Sequence, residues 1–257
     1  MKRTIFLTIL LLNLAGLTFA NPHNLLPRFP EIIIQQGMTK DYAADSLTAI
    51  ATIQDNYAHT VVNTDLRNIS RTKAFTSVKF RILYPKNLSS VKIKINGSDF
   101  NYTPERNTYN FWLNPNEAVN FHIEADVSVN YSINAVRKAL KEEEKAKKNI
   151  KTTFTEDFAA YFNTEKYGKR FMTGNIVSKW GIFPLSIKKL EIAATTPPNM
   201  ILISENNEVW NQKSRVKQNH FYCNDSKSYN SAVFVPEKDK EDFLETQKIL
   251  NSKKFIH

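Results

Sequence analysis

One cysteine, Cys223, and only 6 glycines occur in 257 residues. A lone thiol makes no internal bridge, so the fold must rest on its core and not on the cross-links that staple many small exported domains. So few glycines, none in a G-x-G-x-x-G or Walker arrangement, leave no loop that lets a backbone close around a phosphate, which excludes a nucleotide partner. The nucleophile elbow G-x-S-x-G is absent too. His23, His59, His122, His220 and His257 never fall at the close spacing of a helical zinc pair, and no cysteine cluster accompanies them. The motifs therefore call for no metal and no cofactor.

Long apolar runs are also missing, with one exception at the start. Lys2 and Arg3 precede an apolar stretch from Ile5 to Leu17, interrupted by Asn13, and Thr18-Phe19-Ala20 supplies a small-x-small site. This is the pattern of an export signal over 1–20, with the mature chain beginning at Asn21. An uncleaved anchor is the competing reading, but a span needs about 20 apolar residues. No cysteine sits beside the cleavage site, which argues against a lipoprotein anchor. The expected location is periplasmic or secreted, with no transmembrane span after cleavage. Abundant Lys, Asn and Ile suit an AT-rich bacterial genome.

The charge is +10, or +8 once Lys2 and Arg3 leave with the signal. A basic exported chain is drawn to anionic envelope polymers, glycans or acidic protein surfaces, without preference among them. With 42% hydrophobic and 12% aromatic residues it can still bury a sizeable core.

The organising stretch runs from Val78 to Asn130, where side chains alternate with a period of two. Val78, Phe80, Ile82 and Tyr84 share one face of a first strand and Lys79 and Arg81 the other. Val91, Ile93 and Ile95 alternate with Lys92 and Lys94, and Asn96-Gly97 ends that strand by tolerating positive φ. Tyr109, Phe111 and Leu113 alternate with Asn110 and Trp112. Val119, Phe121, Ile123, Ala125 and Val127 alternate with Asn120, His122, Glu124 and Asp126. The spacers, around Pro85, Pro104 and Pro115, are turn-formers. One apolar and one polar face per strand predicts a mainly β fold, an immunoglobulin-like antiparallel β-sandwich over 59–131, with a further strand near 59–66.

Around this block, 21–58 reads as an extended leader, a short strand at Ile32-Ile33-Ile34 and a helix over 40–54, where Ala43, Leu47, Ile50 and Ala51 fall at helical spacing. A Lys/Glu-rich segment over 132–153 reads as a solvated connector helix and marks a domain boundary. The part from 154 to 257 reads as a smaller α+β domain. It opens on an aromatic helix capped by Thr155 and closed by Gly168. It continues through strands near 187–194, 200–204, 208–212, 220–223 and 232–235, and ends in a helix over 240–250.

Three constellations carry candidate chemistry. Lys79, Arg81, Lys92 and Lys94 form a basic patch if the first two strands of the block pair. Trp112 stands on a polar face beside Asn110, where an indole can stack on a sugar ring while amides bond its hydroxyls. His122, Glu124 and Asp126 share a row, and the two carboxylates lie about 6.6 Å apart along the strand. That falls within the roughly 5–9.5 Å of glycosidase pairs. Cys223 and His220 are three residues apart, which puts them on opposite faces of a strand, so a thiol dyad has little support. Lys79-Phe80-Arg81 alternates base and aromatic, but its aromatic faces the core and cannot stack on bases. The leading function is an exported, non-enzymatic protein binding an anionic or glycan-bearing partner through a basic sheet face that includes Lys79, Arg81, Lys92, Lys94, Asn110, Trp112 and His122. The alternative is an envelope glycan hydrolase using Glu124 and Asp126. A third, weaker reading is a toxin or effector that touches membrane through the aromatic helix.

Overall fold

The computed structural model describes residues 28–36, 41–129, 170–172, 186–204, 209–210, 215–218, 221–222 and 231–245. The signal, the connector helix, the aromatic helix, Cys223 and His220 lie outside them. The described residues are mainly strand. In chain order these are β1 (Glu31–Gln36), β2 (Tyr42–Ile53), β3 (Tyr57–Asn68), β4 (Ala74–Arg81), β5 (Lys92–Ile95), β6 (Ser98–Phe100), β7 (Thr108–Leu113) and β8 (Ala118–Ser128). Then follow β9 (Arg170–Met172), β10 (Ser186–Thr195), β11 (Met200–Ser204), β12 (Val209–Trp210), β13 (Arg215–Gln218), β14 (Phe221–Tyr222) and β15 (Ser231–Pro236). Residues 240–245 are helical. Among the described residues no helix is long and apolar enough to cross a membrane.

Three sheets result. A three-stranded sheet runs β1-β4-β7. An eight-stranded sheet runs β13-β10-β2-β3-β8-β5-β6, with β14 also on β10. A four-stranded sheet runs β12-β11-β15-β9. The first two face each other across one core, because alternation delivers Val78 and Phe80 from one side and Val119, Phe121, Ile123 and Ala125 from the other. Phe80 meets Phe121 edge-on at 5.9 Å between ring centroids, and Phe111 meets Phe121 at 6.2 Å. Such aromatic contacts add about 0.5–1.5 kcal/mol each beyond the area they bury. Phe171, Leu202 and Phe234 of the four-stranded sheet join the same core, Phe171 against Phe29 at 5.0 Å. Ile203, Val235 and Phe243 make a small second cluster, so the start of the expected C-terminal helix packs with Phe243 inward.

Several expectations are corrected. The segment expected as a helix over 40–54 is β2, paired antiparallel with β3 from Tyr42↔Asn68 to Ile53↔Ala58. Its partner edge supplies an unbroken ladder from Leu47 to Ile53, over which Leu47, Ala49, Ala51 and Ile53 all face inward with a period of two. β3 begins at Tyr57 and runs on to Asn68, past both ends of the strand expected near 59–66. Tyr84 does not continue the first strand: it takes φ 54°, the left-handed region, and is exposed. β6 is an additional strand, closing a two-residue Asn96-Gly97 turn with φ of 49° and 81°. That is the positive-φ pair a tight hairpin demands. The first two strands of the block do not pair. β4 pairs with β1 and β7, whereas β5 pairs with β6 and β8. Among the described residues one pairing is parallel: β10 lies beside β2 over Ile187↔Ala44 to Thr195↔Thr52. Strands from either side of the 132–153 segment thus share one sheet.

Candidate functional site

Two outward faces collect the candidate residues, one on the eight-stranded sheet and one on the three-stranded sheet. On the eight-stranded sheet, β3, β8 and β5 lie side by side, in the registers Asn63↔His122↔Lys94 and Val61↔Glu124↔Lys92. The outward side chains answer one another. His122 Nδ1 lies 2.6 Å from Asn63 Oδ1, and its Nε2 lies 3.0 Å from Glu124 Oε1. Lys92 Nζ donates to Glu124 Oε2 at 3.4 Å. One row along, His59 Nδ1 sits 2.8 Å from Asp126 Oδ1. The His122 hydrogen bond and the Lys92 ammonium hold the Glu124 carboxyl below its ordinary value, against a smaller opposing effect of burial.

Glu124 is thus held by His122 and Lys92, and Asp126 by His59, so both carboxylates of the expected pair are hydrogen-bonded within the row. A lowered carboxyl does not suit the general acid of a glycosidase pair, whose proton goes to the leaving oxygen.

Beside this row the sheet carries a depression of about 270 Å³ lined by Ser46, Asn63, Asp65, Lys94, Asn120 and His122, among others. It lies where β2 carries a bulge between Ala43 and Leu47. Bulges interrupt the ladder and re-aim side chains. Here the backbone N–H groups of Asp45 and Ser46 turn to the Asp65 carboxylate, donating at 3.0 and 3.1 Å and at 3.0 Å. Asp45 in turn accepts from Arg67 Nε at 2.9 Å and from Lys188 Nζ at 2.6 Å, clamping β2, β3 and β10 together. Lys188 and Arg67 hold the Asp45 carboxyl below its ordinary value. Sequence reasoning missed Ser46, Asn63, Asp65 and Asn120 because β2 was read as a helix and β3 had no assigned neighbour.

On the three-stranded sheet, Phe75↔Trp112, Ser77↔Asn110 and Lys79↔Thr108 stand in register. Trp112 is 58% exposed. Its ring leans on Phe75, with centroids 5.2 Å apart, and Lys73 Nζ lies 5.5 Å from its centroid. Asn110 and Thr108 are exposed beside it along β7. Arg81 is bound to Glu31, a carboxylate only 1% exposed that also meets Arg28 Nε at 3.0 Å.

The expected basic patch is therefore divided. Lys79 and Arg81 lie on one sheet, Lys92 and Lys94 on the other, and Arg81 and Lys92 already face carboxylates. The structure does bring Asn110 and Trp112 together with Lys79 on one face, and Lys92, Lys94 and His122 on the other. Among the described residues no group of three His, Cys, Asp or Glu side chains is placed to hold a metal.

No protein-family model matches the chain, and no curated protein matches it. Among solved structures it is similar to a Legionella pneumophila protein described as a "putative nutrient binding protein", with TM-score 0.42 and 8% identity over 86% of this chain and 73% of that one. A likeness of that size transfers no function.

Proposed function

We propose that the chain is an exported, non-enzymatic binding protein of a bacterial envelope or host-facing surface, periplasmic or secreted, and that it holds a glycan on the outward face of the three-stranded sheet. In this reading the three- and eight-stranded sheets form an immunoglobulin-like sandwich that serves as the rigid support, built on 59–131 together with β1, β2 and strands of the part from 154 onward. The observation that carries the reading is the open indole of Trp112, held by Phe75 and flanked by Asn110 and Lys73. A flat ring fixed on a strand offers its face to the C–H side of a sugar at small entropic cost, while an adjacent amide bonds hydroxyls. Lys73 beside the Trp112 ring and Lys79 on β4 favour an acidic glycan over a neutral one.

The test is an array of bacterial-envelope and host oligosaccharides, followed by calorimetry on the best ligand. Trp112→Ala is expected to weaken that ligand by about tenfold or more, since an aromatic stack and the area it covers contribute on the order of 1–2 kcal/mol. Absence of any saturable oligosaccharide ligand, or equal affinity in Trp112→Ala, overturns the reading.

A further inference from the structure

The depression over the β2 bulge is a concave surface on a different sheet from Trp112, and its hydrogen bonds say what it can hold. Its acceptors are largely occupied from within. Asp65 takes the N–H groups of Asp45 and Ser46, and Asn63 Oδ1 and both nitrogens of His122 are joined in one chain to Glu124. Thr64 donates its hydroxyl to the Ser46 carbonyl at 2.9 Å. Four groups on the lining can each still donate: the Asn63 amide nitrogen, the Asn120 amide, the Ser46 hydroxyl and the Lys94 ammonium. Among the described residues Lys94 is ion-paired with Asp99 at 4.0 Å, longer than a hydrogen bond and to a carboxylate that is 90% exposed, so its ammonium keeps donors to spare.

The walls of this depression are built. The Asn96-Gly97 turn closes one side, and Asn96 is docked on β8 twice, donating its N–H to the Asn120 carbonyl at 2.9 Å and accepting the Asn120 N–H on Oδ1 at 2.8 Å. His122 is fixed between Asn63 and Glu124 and forms another wall. The floor is the bulge that Asp65 holds open. A volume of about 270 Å³ suits a small group and not a chain or a drug-sized body. One cation and several neutral donors line a small concavity, and the Asp65 carboxylate on the same lining is turned to two backbone N–H groups; an oxyanion's oxygens accept charge-assisted bonds from such donors.

We propose that this depression is a binding site for a small oxyanion-bearing ligand, a phosphate or carboxylate group, held by Lys94 with Asn63, Asn120 and Ser46.

The full chain, isotope-labelled, is titrated at fixed ionic strength with inorganic phosphate and separately with acetate, following backbone amide shifts. The expected result is saturable shifts confined to the amides of Ser46, Gly97, Asn120 and their neighbours. Lys94→Gln should weaken binding by about tenfold, the loss of one charged hydrogen bond. Asn120→Ala should weaken it several-fold, and Trp112→Ala should leave it unchanged. Saturation by phosphate alone, or by acetate alone, identifies which oxyanion the ligand carries. Shifts spread over lysines and arginines across the surface without saturation overturn the proposal. So does loss in Lys94→Gln with no loss in Asn120→Ala, which is charge attraction without a site. Glycan binding at Trp112 is read separately, so either reading can fail alone.

Discussion

Replacing Asp65 by alanine strikes the bulge that shapes the eight-stranded sheet. The carboxylate is 7% exposed and receives two backbone N–H groups of β2 at hydrogen-bond distance. Those donors stand where β2 loses its register with β3, so the β3 ladder offers no substitute. A hydrogen bond to a charged group contributes about 1.5–3 kcal/mol, and a donor stranded away from water costs about 1–3 kcal/mol. Ser46 is exposed, so water recovers part of the loss at its N–H. Asp65→Ala is therefore expected to destabilise the chain by about 2–3 kcal/mol, and Asp65→Asn, which keeps one oxygen, by about half that. In urea unfolding followed by circular dichroism, with a slope of about 1–3 kcal/mol/M, the alanine variant should lower the midpoint by roughly 1 M or more at unchanged slope. An Asp65→Ala midpoint within error of the parent refutes the view that this carboxylate holds the bulge.

Phe80→Ala should cost about 3–5 kcal/mol in the same assay, because the ring is fully buried between Phe100 and Phe121 and the two sheets cannot close over the gap. Gly97→Ala should cost about 1 kcal/mol from backbone strain alone, since φ is +81° and no atom lies within 4 Å of the added methyl; a larger loss points to a steric clash instead. Glu124→Gln should destabilise by less than about 1 kcal/mol at neutral pH, as Lys92 is exposed and His122 only half-buried, so solvent screens both contacts. The sign follows from the depressed folded value. The contribution is present above the ordinary carboxyl value of 4.5 and is lost as pH falls through the folded value, so parent and variant should converge in acid. Divergence that grows on acidification contradicts this.

The strands legible in advance were those whose alternation is unbroken. β8 reads inward and outward without a fault from Ala118 to Ser128, and β5 is held in register by a turn whose residues, Asn96 and Gly97, announce positive φ. β2 was hidden by its own irregularity. Ala43, Leu47 and Ala51 satisfy a helical stripe, and the bulge between Ala43 and Leu47 resets the alternation that marks a strand. What separates the two readings is Ala49 facing inward while Ile50 is only half-buried, and alanine gives an apolar signal too weak to decide it. Sheet partnership was hidden for a different reason. Consecutive strands are neighbours only about two-thirds of the time, and here the stretch between Arg81 and Lys92 carries the chain from one sheet to the other. The basic patch depended on that pairing, so it divided when the pairing failed, whereas Trp112 depended only on the parity of one strand and kept its place. The parallel contact of β10 with β2, joining residues more than a hundred positions apart, leaves no local trace at all. Yet it brings Lys188 to Asp45 at the bulge. The features that define the depression are thus non-local pairings and one ladder defect, and a site built that way becomes visible only once the strands have found their partners.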